Sequence, residues 1–468
     1  MARFKSSPVI RRFRLAFLVG ACVAIAASPA AAQVRSVPIG VGNLPPCEVA
    51  TPNEASAFPC GVILYSPGAT VSSRVLGGMA RSAGAQVRYE FHIVAAVAAT
   101  VHDRPTLRAL SVSSAKVIPD RRMNAIAKPG GGGGGGSSGQ VVPEGVKHIG
   151  APVSGNKGNG VGVAIVDTGL DSSHRDLSVE SACIDAFGNG NCQDQNGHGT
   201  HVGGIVGARD NEFDVVGVAP EAKLYAVKVL DASGSGSDST VMGGLEWISD
   251  QNIPSTTIRV ANMSLGRPGS VDDNPLLHDA VKALRDQGVT VVVAAGNDAK
   301  TEITQQIPAA YPEVLAIAST TAIDGTNACK RASTPIPGDT ASYFTTDGSG
   351  VAVSAPGEDQ ENVNRGCLIS SNGILSLKLG GGTTRMSGTS MASPHVAGVA
   401  ALVVSTLSPT TDPSQISSII RAKIRDGACR KNDAPLPSPT SSYSFDGAKE
   451  GILWAQGALD GSNSSCPP

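Results

Sequence analysis

The order of apolar runs along the chain predicts an α/β protein: a layered domain on a mostly parallel sheet, preceded by a small α+β unit. Three observations carry this. Residues 161–166, 224–229, 259–264, 289–294 and 314–318 are short, mostly apolar runs, and strands apolar throughout belong to sheets covered on both faces. Segments with helical spacing at 200–208, 240–250 and 276–287 alternate with them, which implies right-handed crossovers. A glycine run, 130–136, continued by Ser137, Ser138 and Gly139, has nothing to bury and reads as a tether between a small N-terminal part and a large C-terminal part.

In the small part, 61–65 reads as a strand and 72–82 as a helix. Residues 86–100 hold one or two further strands, 106–114 a second helix and 116–118 a last strand. Two short helices on a small sheet make an α+β unit. In the large part, working residues are expected at the carboxyl ends of the parallel strands, where such folds place them.

Composition narrows the function. The chain has 468 residues, too many for one ordinary domain, with 41% apolar and 16% charged residues and a formal net charge of -2. Nothing in that balance points to nucleic acid. Arg11, Arg12 and Arg14 precede an apolar run at 15–27, and Ala30, Ala31 and Ala32 supply a small-residue cleavage pattern. Residues 1–32 therefore read as an export signal, too short to span a bilayer comfortably, and no later stretch is long and apolar enough for a membrane helix. A secreted, extracellular or periplasmic protein is expected. Cys22 leaves with the signal, Cys47 and Cys60 lie in the small part, and Cys183, Cys192, Cys329, Cys367, Cys429 and Cys466 lie in the large part. Even counts suit an oxidising compartment. Neighbours in sequence are expected to pair, because short loops close easily.

Three segments are polar where the fold should be apolar. Asp167 closes the apolar run that begins at residue 161, and Gly169 turns the chain after it. A carboxylate there is costly unless something pairs with it. His198, in Asn196-Gly197-His198-Gly199-Thr200-His201, sits where a glycine-rich segment opens a helix. Ser390, in Gly388-Thr389-Ser390-Met391-Ala392-Ser393-Pro394-His395, starts a long helix of small residues. Together they supply a nucleophile, a base and an orienting acid. A serine hydroxyl needs an imidazole to take its proton, and the imidazole needs a carboxylate to fix its tautomer.

With these motifs, in the order Asp, His, Ser, the sequence resembles the subtilisin-like serine proteases from about residue 140 to 458. The resemblance implies a three-layer α/β catalytic domain at 140–468 and an Asp167, His198, Ser390 triad. It implies that the Asn297 amide, in Ala294-Ala295-Gly296-Asn297, joins the Ser390 backbone N–H as an oxyanion donor. Ser264, Leu265 and Gly266 resemble one edge that pairs with an extended substrate, and Gly234 and Gly236 the opposite edge. Residues 264–266, 295–297 and 307–309 then line the specificity pocket. No buried charge faces it, so broad or apolar P1 preference is expected. Gln140, Asp176 and Asn211 match positions of a structural calcium site, whose ion takes oxygen ligands. His174, His201, His395, Trp247 and Trp454 are read as structural.

Residues 33–129 resemble the family's inhibitory propeptides of the I9 type in size, order of elements and position. A tethered domain capping the groove acts at high effective concentration. Self-cleavage is expected between about 124 and 140, with 130–139 as the linker holding the maturation region. The expected partners are protein or peptide substrates and the chain's own propeptide, with no nucleic acid, no membrane span after signal removal, and a monomeric enzyme. Two rivals remain at this point: an inactive binding protein on the same fold, and an acid-active relative that uses Glu and Asp. The Asp-His-Ser set opposes both.

Overall fold

The computed structural model describes residues 44–47, 57–129, 139–251, 258–329, 333–439, 449–462 and 466. The expected export signal and the glycine run at 130–136 lie outside the described residues.

The small part follows the sequence closely. β1 (Cys60–Tyr65), α1 (Ser73–Ser82), β2 (Gln86–Phe91), β3 (Ala96–Val101), α2 (Arg104–Ser111) and β4 (Lys116–Pro119) form two helices on an antiparallel sheet of order β2-β3-β1-β4. Helix α2 begins two residues earlier than its apolar spacing predicts, because Asp103 caps it by accepting from the Thr106 N–H at 2.8 Å. Side chains alternate along β1 and β3. Val62, Leu64, Val97 and Ala99 join Leu76, Ala80, Leu107 and Leu110 in the unit's own core. Ile63, Ala96 and Ala98 point the other way and merge with the core of the large part. The small unit thus has two buried sheet faces, one covered by its helices and one by the domain that follows.

Two short strands lead out of it, β5 (Arg122–Ala125) and β6 (Lys128–Pro129). The large part then opens with a short helix, α3 (Glu144–His148), and strand β7 (Gly162–Asp167). It continues through β8 (Ile184–Asp185), α4 (His198–Gly207), β9 (Lys223–Lys228), β10 (Ser235–Ser237), α5 (Asp238–Gln251), β11 (Ile258–Met263), β12 (Leu265–Pro268), α6 (Pro275–Asp286) and β13 (Thr290–Ala294). After β14 (Gln306–Ile307) and β15 (Leu315–Thr321) come β16 (Gly325–Asn327), β17 (Thr334–Ile336) and β18 (Val351–Glu358). The chain then runs through β19 (Gln360–Val363), β20 (Ile369–Asn372), β21 (Ile374–Leu377), β22 (Thr383–Ser387), α7 (Thr389–Val404), α8 (Pro413–Asp426) and α9 (Ala455–Asp460).

Seven strands build one parallel sheet of order β18-β15-β13-β11-β7-β9-β8. Strand β7 explains the layering. Val163 and Ile165 pack toward α4 and α7, whereas Ala164 and Val166 pack toward α5 and α6. Period-two alternation with both faces apolar is what a sheet between two helical layers requires. Helix α7 is buried from Thr389 to Val403, so it is apolar around its whole circumference. Strands β8 and β18 form the two sheet edges and were not among the runs read from the sequence.

Disulfides join Cys47–Cys60, Cys183–Cys192, Cys329–Cys367 and Cys429–Cys466, each to its sequence neighbour as expected. No helix among the described residues is long and apolar enough to cross a membrane.

Candidate active site

The fold gathers the three polar segments in one place. Asp167 ends β7, His198 is the first residue of α4, and Ser390 is the second residue of α7. The His198 Nδ1 stands 2.8 and 3.0 Å from the two Asp167 carboxylate oxygens. Both side chains are almost wholly buried, at 4% and 0% exposure. A carboxylate only accepts, so Nδ1 carries the hydrogen, and in the neutral ring Nε2 keeps its lone pair. Burial pulls the His198 pKa down, but the charge and hydrogen bond of Asp167, with a further contribution from Asp194, raise it above its ordinary value. The other two buried histidines near the motifs behave differently. Burial drives His201 to about 3 and His395 to about 4, so both are neutral and structural.

The serine's hydrogen has another partner. Ser390 Oγ donates to the Ser264 carbonyl at 3.1 Å, and His198 Nε2 has no hydrogen-bond partner. Ser264 in turn donates its hydroxyl to the Ser390 carbonyl at 2.9 Å, which ties β12's entry to the start of α7.

A strand of the same chain lies in the cleft. Strand β5 pairs antiparallel with β10 on one side and β12 on the other, within a sheet of order β10-β5-β12-β14. Gly236 faces Met123, Ser235 and Gly266 face Asn124, and Leu265 faces Ala125. The Ala125 N–H donates to the Gly234 carbonyl at 2.9 Å, and the Ile126 N–H to the Ser264 carbonyl at 3.2 Å. The glycine and serine edges singled out in the sequence therefore flank an extended peptide. Beyond it, β6 pairs antiparallel with β22, Lys128 facing Ser387 and Pro129 facing Met386.

Asn297 closes the arrangement. Its Oδ1 accepts from the Thr389 N–H at 2.9 Å and the Thr389 hydroxyl at 3.0 Å, which turns Nδ2 into the cleft. Nδ2 donates to the Ile126 carbonyl at 3.1 Å. Gly388, at φ 151°, is needed here: a Cβ would sit 2.7 Å from the Ile126 oxygen and 2.8 Å from Asn297 Nδ2. Gly266 leaves room for the Ile126 side chain, whose Cδ1 would lie 3.0 Å from a Cβ at that position. Gly296 packs against Thr346 at φ 127°, and Ala295 is fully buried behind it.

The residues expected to hold calcium also meet. Gln140 Nε2 lies 2.5, 3.1 and 3.0 Å from the carbonyl oxygens of Arg209, Phe213 and Val215 and 3.5 Å from Asn211 Oδ1, more acceptors than its two hydrogens serve, while its Oε1 accepts from the Asn211 and Glu212 N–H groups at 3.2 and 3.3 Å. Asp176 Oδ2 accepts from the Val215 N–H at 3.2 Å, while Oδ1 is buried with no partner. Burial pushes Asp176 up to about 7. Carbonyl and amide oxygens converging beside an orphaned carboxylate oxygen fit a hard cation. The set holds a single carboxylate, which agrees with the absence, among the described residues, of any cluster of three His, Cys, Asp or Glu side chains. The converging carbonyls carry no sequence signal, since any residue supplies one.

Two contributors escaped the sequence reading. Thr389 orients Asn297, and Asp194 binds the His198 turn. An Asp four residues before a histidine whose helix opens on a bare glycine was the available signal for the second.

The Subtilase family model (peptidase S8) matches residues 158–445. M-protease of Shouchella clausii (strain KSM-K16) is 40% identical over 267 residues, 56% of this chain and 60% of that protein. Subtilisin Savinase of Lederbergia lenta is 40% identical over 267 residues, 56% of this chain and 84% of that protein. Subtilisin E of Bacillus subtilis (strain 168) is 39% identical over 273 residues, 57% of this chain and 62% of that protein. The match thus spans less than two thirds of M-protease and of subtilisin E.

Proposed function

Because the chain belongs to the subtilase family, we propose that it is a serine endopeptidase made as a zymogen, and that the first bond it cuts is its own Ile126–Ala127. The observation that carries this reading is the placement of Ile126. Its N–H is on the Ser264 carbonyl and its C=O is on the Asn297 amide. A residue anchored by its N–H on one side and polarised at its carbonyl oxygen on the other, beside a serine at a helix start, has the bond that follows it presented for acyl transfer.

In the proposed reaction, Ser390 Oγ leaves the Ser264 carbonyl and gives its proton to His198 Nε2. Oγ forms a bond to the Ile126 carbonyl carbon, and the oxygen takes the negative charge. Asn297 Nδ2 and the Ser390 backbone N–H donate to that oxygen. Asp167 holds the imidazolium. Collapse breaks the C–N bond, and His198 returns the proton to the Ala127 nitrogen. Water then repeats the sequence to release Ile126 from the serine. Ile126 against Gly266 supports broad or apolar P1 preference. A sharp Lys or Arg preference across P1-varied peptides contradicts it.

The remaining readings follow from the same frame. Residues 33–126 act as the inhibitor after the cut, since β5 fills the groove a substrate needs. Gln140, Asp176 and Asn211, with the carbonyls of Arg209, Phe213 and Val215, hold a structural calcium ion that fixes the segment after the linker. The enzyme is exported through residues 1–32 and acts on protein or peptide substrates. Casein hydrolysis at pH 8, abolished by phenylmethylsulfonyl fluoride and absent from Ser390→Ala, is the expected result. No activity after removal of the N-terminal part contradicts the reading.

A further inference from the structure

A second buried carboxylate sits beside the triad, outside the roles assigned above. Asp194 is 5% exposed and lies in the turn before α4. Its two oxygens take five hydrogen bonds. Oδ1 accepts from the Thr168 hydroxyl at 2.8 Å and from the N–H groups of Asn196 and Gly197, each at 2.9 Å. Oδ2 accepts from the Thr200 N–H at 2.9 Å and the Thr200 hydroxyl at 2.6 Å.

These partners belong to two different pieces of the site. Gly197 and Thr200 are the cap and first turn of the helix that begins with His198. The cap is a glycine at φ 101°, which has no side chain to satisfy the free N–H groups. Asp194 supplies that acceptor from three residues upstream, and its charge suits the positive end of the helix. Thr168 directly follows Asp167. Its N–H donates to Asp167 Oδ1 at 2.7 Å, and its hydroxyl, besides donating to Asp194, accepts from the Gly199 N–H at 2.9 Å. The backbone repeats the link: Leu170 N–H donates to the Cys192 carbonyl and Asp194 N–H to the Leu170 carbonyl, both at 3.2 Å. One carboxylate therefore ties the turn that carries the triad acid to the turn that carries the triad base.

The electrostatics point the same way. Asp194 makes no ion pair among the described residues, and the donors on its two oxygens are all neutral hydroxyl and backbone N–H groups. The charged and titratable groups around His198 are Asp167, Asp194, the neutral His201, and Lys228, whose buried ammonium donates to the Thr168 and Leu230 carbonyls. Asp194 acts on the imidazole in the same direction as Asp167, raising its affinity for a proton.

We propose that Asp194 is a positioning residue of the triad: it fixes His198 against Asp167 and adds a second negative charge for the imidazolium that forms when Ser390 gives up its proton. This rests on the serine endopeptidase reading of the same site. That reading stands or falls on the wild-type protein and Ser390→Ala, so its failure is visible before any Asp194 variant is measured.

The test is steady-state hydrolysis of a peptide p-nitroanilide across pH, with active enzyme counted by a serine-directed label. Asp194→Asn keeps the shape and loses the charge. Its kcat is expected to fall by roughly 10-fold to 100-fold with KM nearly unchanged, because small displacements of a catalytic group cost that much. The acid limb of its kcat/KM profile is expected to move down by roughly half a pH unit, as loss of a nearby negative charge lowers an imidazole's proton affinity. Thr200→Val removes one donor and leaves the charge. Its kcat is expected to drop several-fold with the acid limb unmoved, and it keeps the question open to test where Asp194→Asn yields no folded enzyme. An unmoved acid limb in Asp194→Asn overturns the proposal, whether kcat is intact or falls in step with a lowered melting temperature. Unchanged kcat in Thr200→Val overturns it as well.

Discussion

Glu358 ends β18 behind the Gly388 turn and is fully buried beside Asp359 and Glu361. Burial, helped by the neighbouring carboxyls, pushes its pKa from the ordinary 4.5 up to about 8, while a hydrogen bond from Ser371 opposes the rise. The folded protein thus keeps a proton that the unfolded chain gives up near pH 4.5. Between that pH and about 8 the folded state binds more protons, so stability falls as pH rises, and above about 8 the loss is complete. At about 1.4 kcal/mol for each tenfold change in proton affinity, the loss is on the order of 3–5 kcal/mol. Glu358→Gln keeps an acceptor for Ser371 and removes the titration. Denaturant unfolding of the full chain, in a Ser390→Ala background to prevent self-digestion, measures this at pH 5, 7 and 9. The variant is expected to match its parent at pH 5 within about 1 kcal/mol, the usual worth of a single hydrogen bond. It is expected to be more stable by a few kcal/mol at pH 9. Parallel stability curves across that range refute the reasoning.

Three further outcomes are expected. Asn297→Ala removes one of the two oxyanion donors proposed above and should lower kcat by about 10²–10³, a magnitude that holds for a subtilisin. Steady-state kinetics with folding checked by circular dichroism decides it. Gly388→Ala places a methyl group 2.7 Å from the bound carbonyl oxygen, and kcat/KM should fall at least as far although Ser390 and His198 are intact. Chelator should lower the melting temperature of the processed enzyme, and Asp176→Asn should shrink that difference. Identical melts with and without chelator count against a stabilising ion.

Legibility in the sequence followed burial. The strands β7, β9, β11 and β13 have both faces covered, and a strand in that position is mostly apolar, so its run is visible. Asp167, His198 and Ser390 were legible because they violate that apolar pattern at strand and helix ends. Strand β5 was not legible. Arg122, Met123, Asn124 and Ala125 have no strand pattern of their own, and they are extended because two edges of another part of the chain hold them. The bond at Ile126 lies inside the expected 124–140 range but could not be singled out within it, since its position is set by pairing partners more than a hundred residues away. Asp194 reads as an ordinary turn residue among Gln195, Asn196 and Gly197 until the fold brings Thr168 to it. Of the proposed calcium site, only the side chains of Gln140, Asp176 and Asn211 are legible in the sequence.

The most direct test of the central claim is the N-terminal residue of the protein recovered after expression, read by intact mass and terminal sequencing beside Ser390→Ala. Wild-type protein is expected to yield a fragment ending at Ile126 and a chain beginning at Ala127, before any later trimming. Ser390→Ala is expected to persist as one uncut chain joined across that bond. Equal processing of the mutant in a host free of other proteases, or a wild-type chain cut elsewhere and never at Ile126–Ala127, contradicts the claim that this serine acts on the bond the structure places before it.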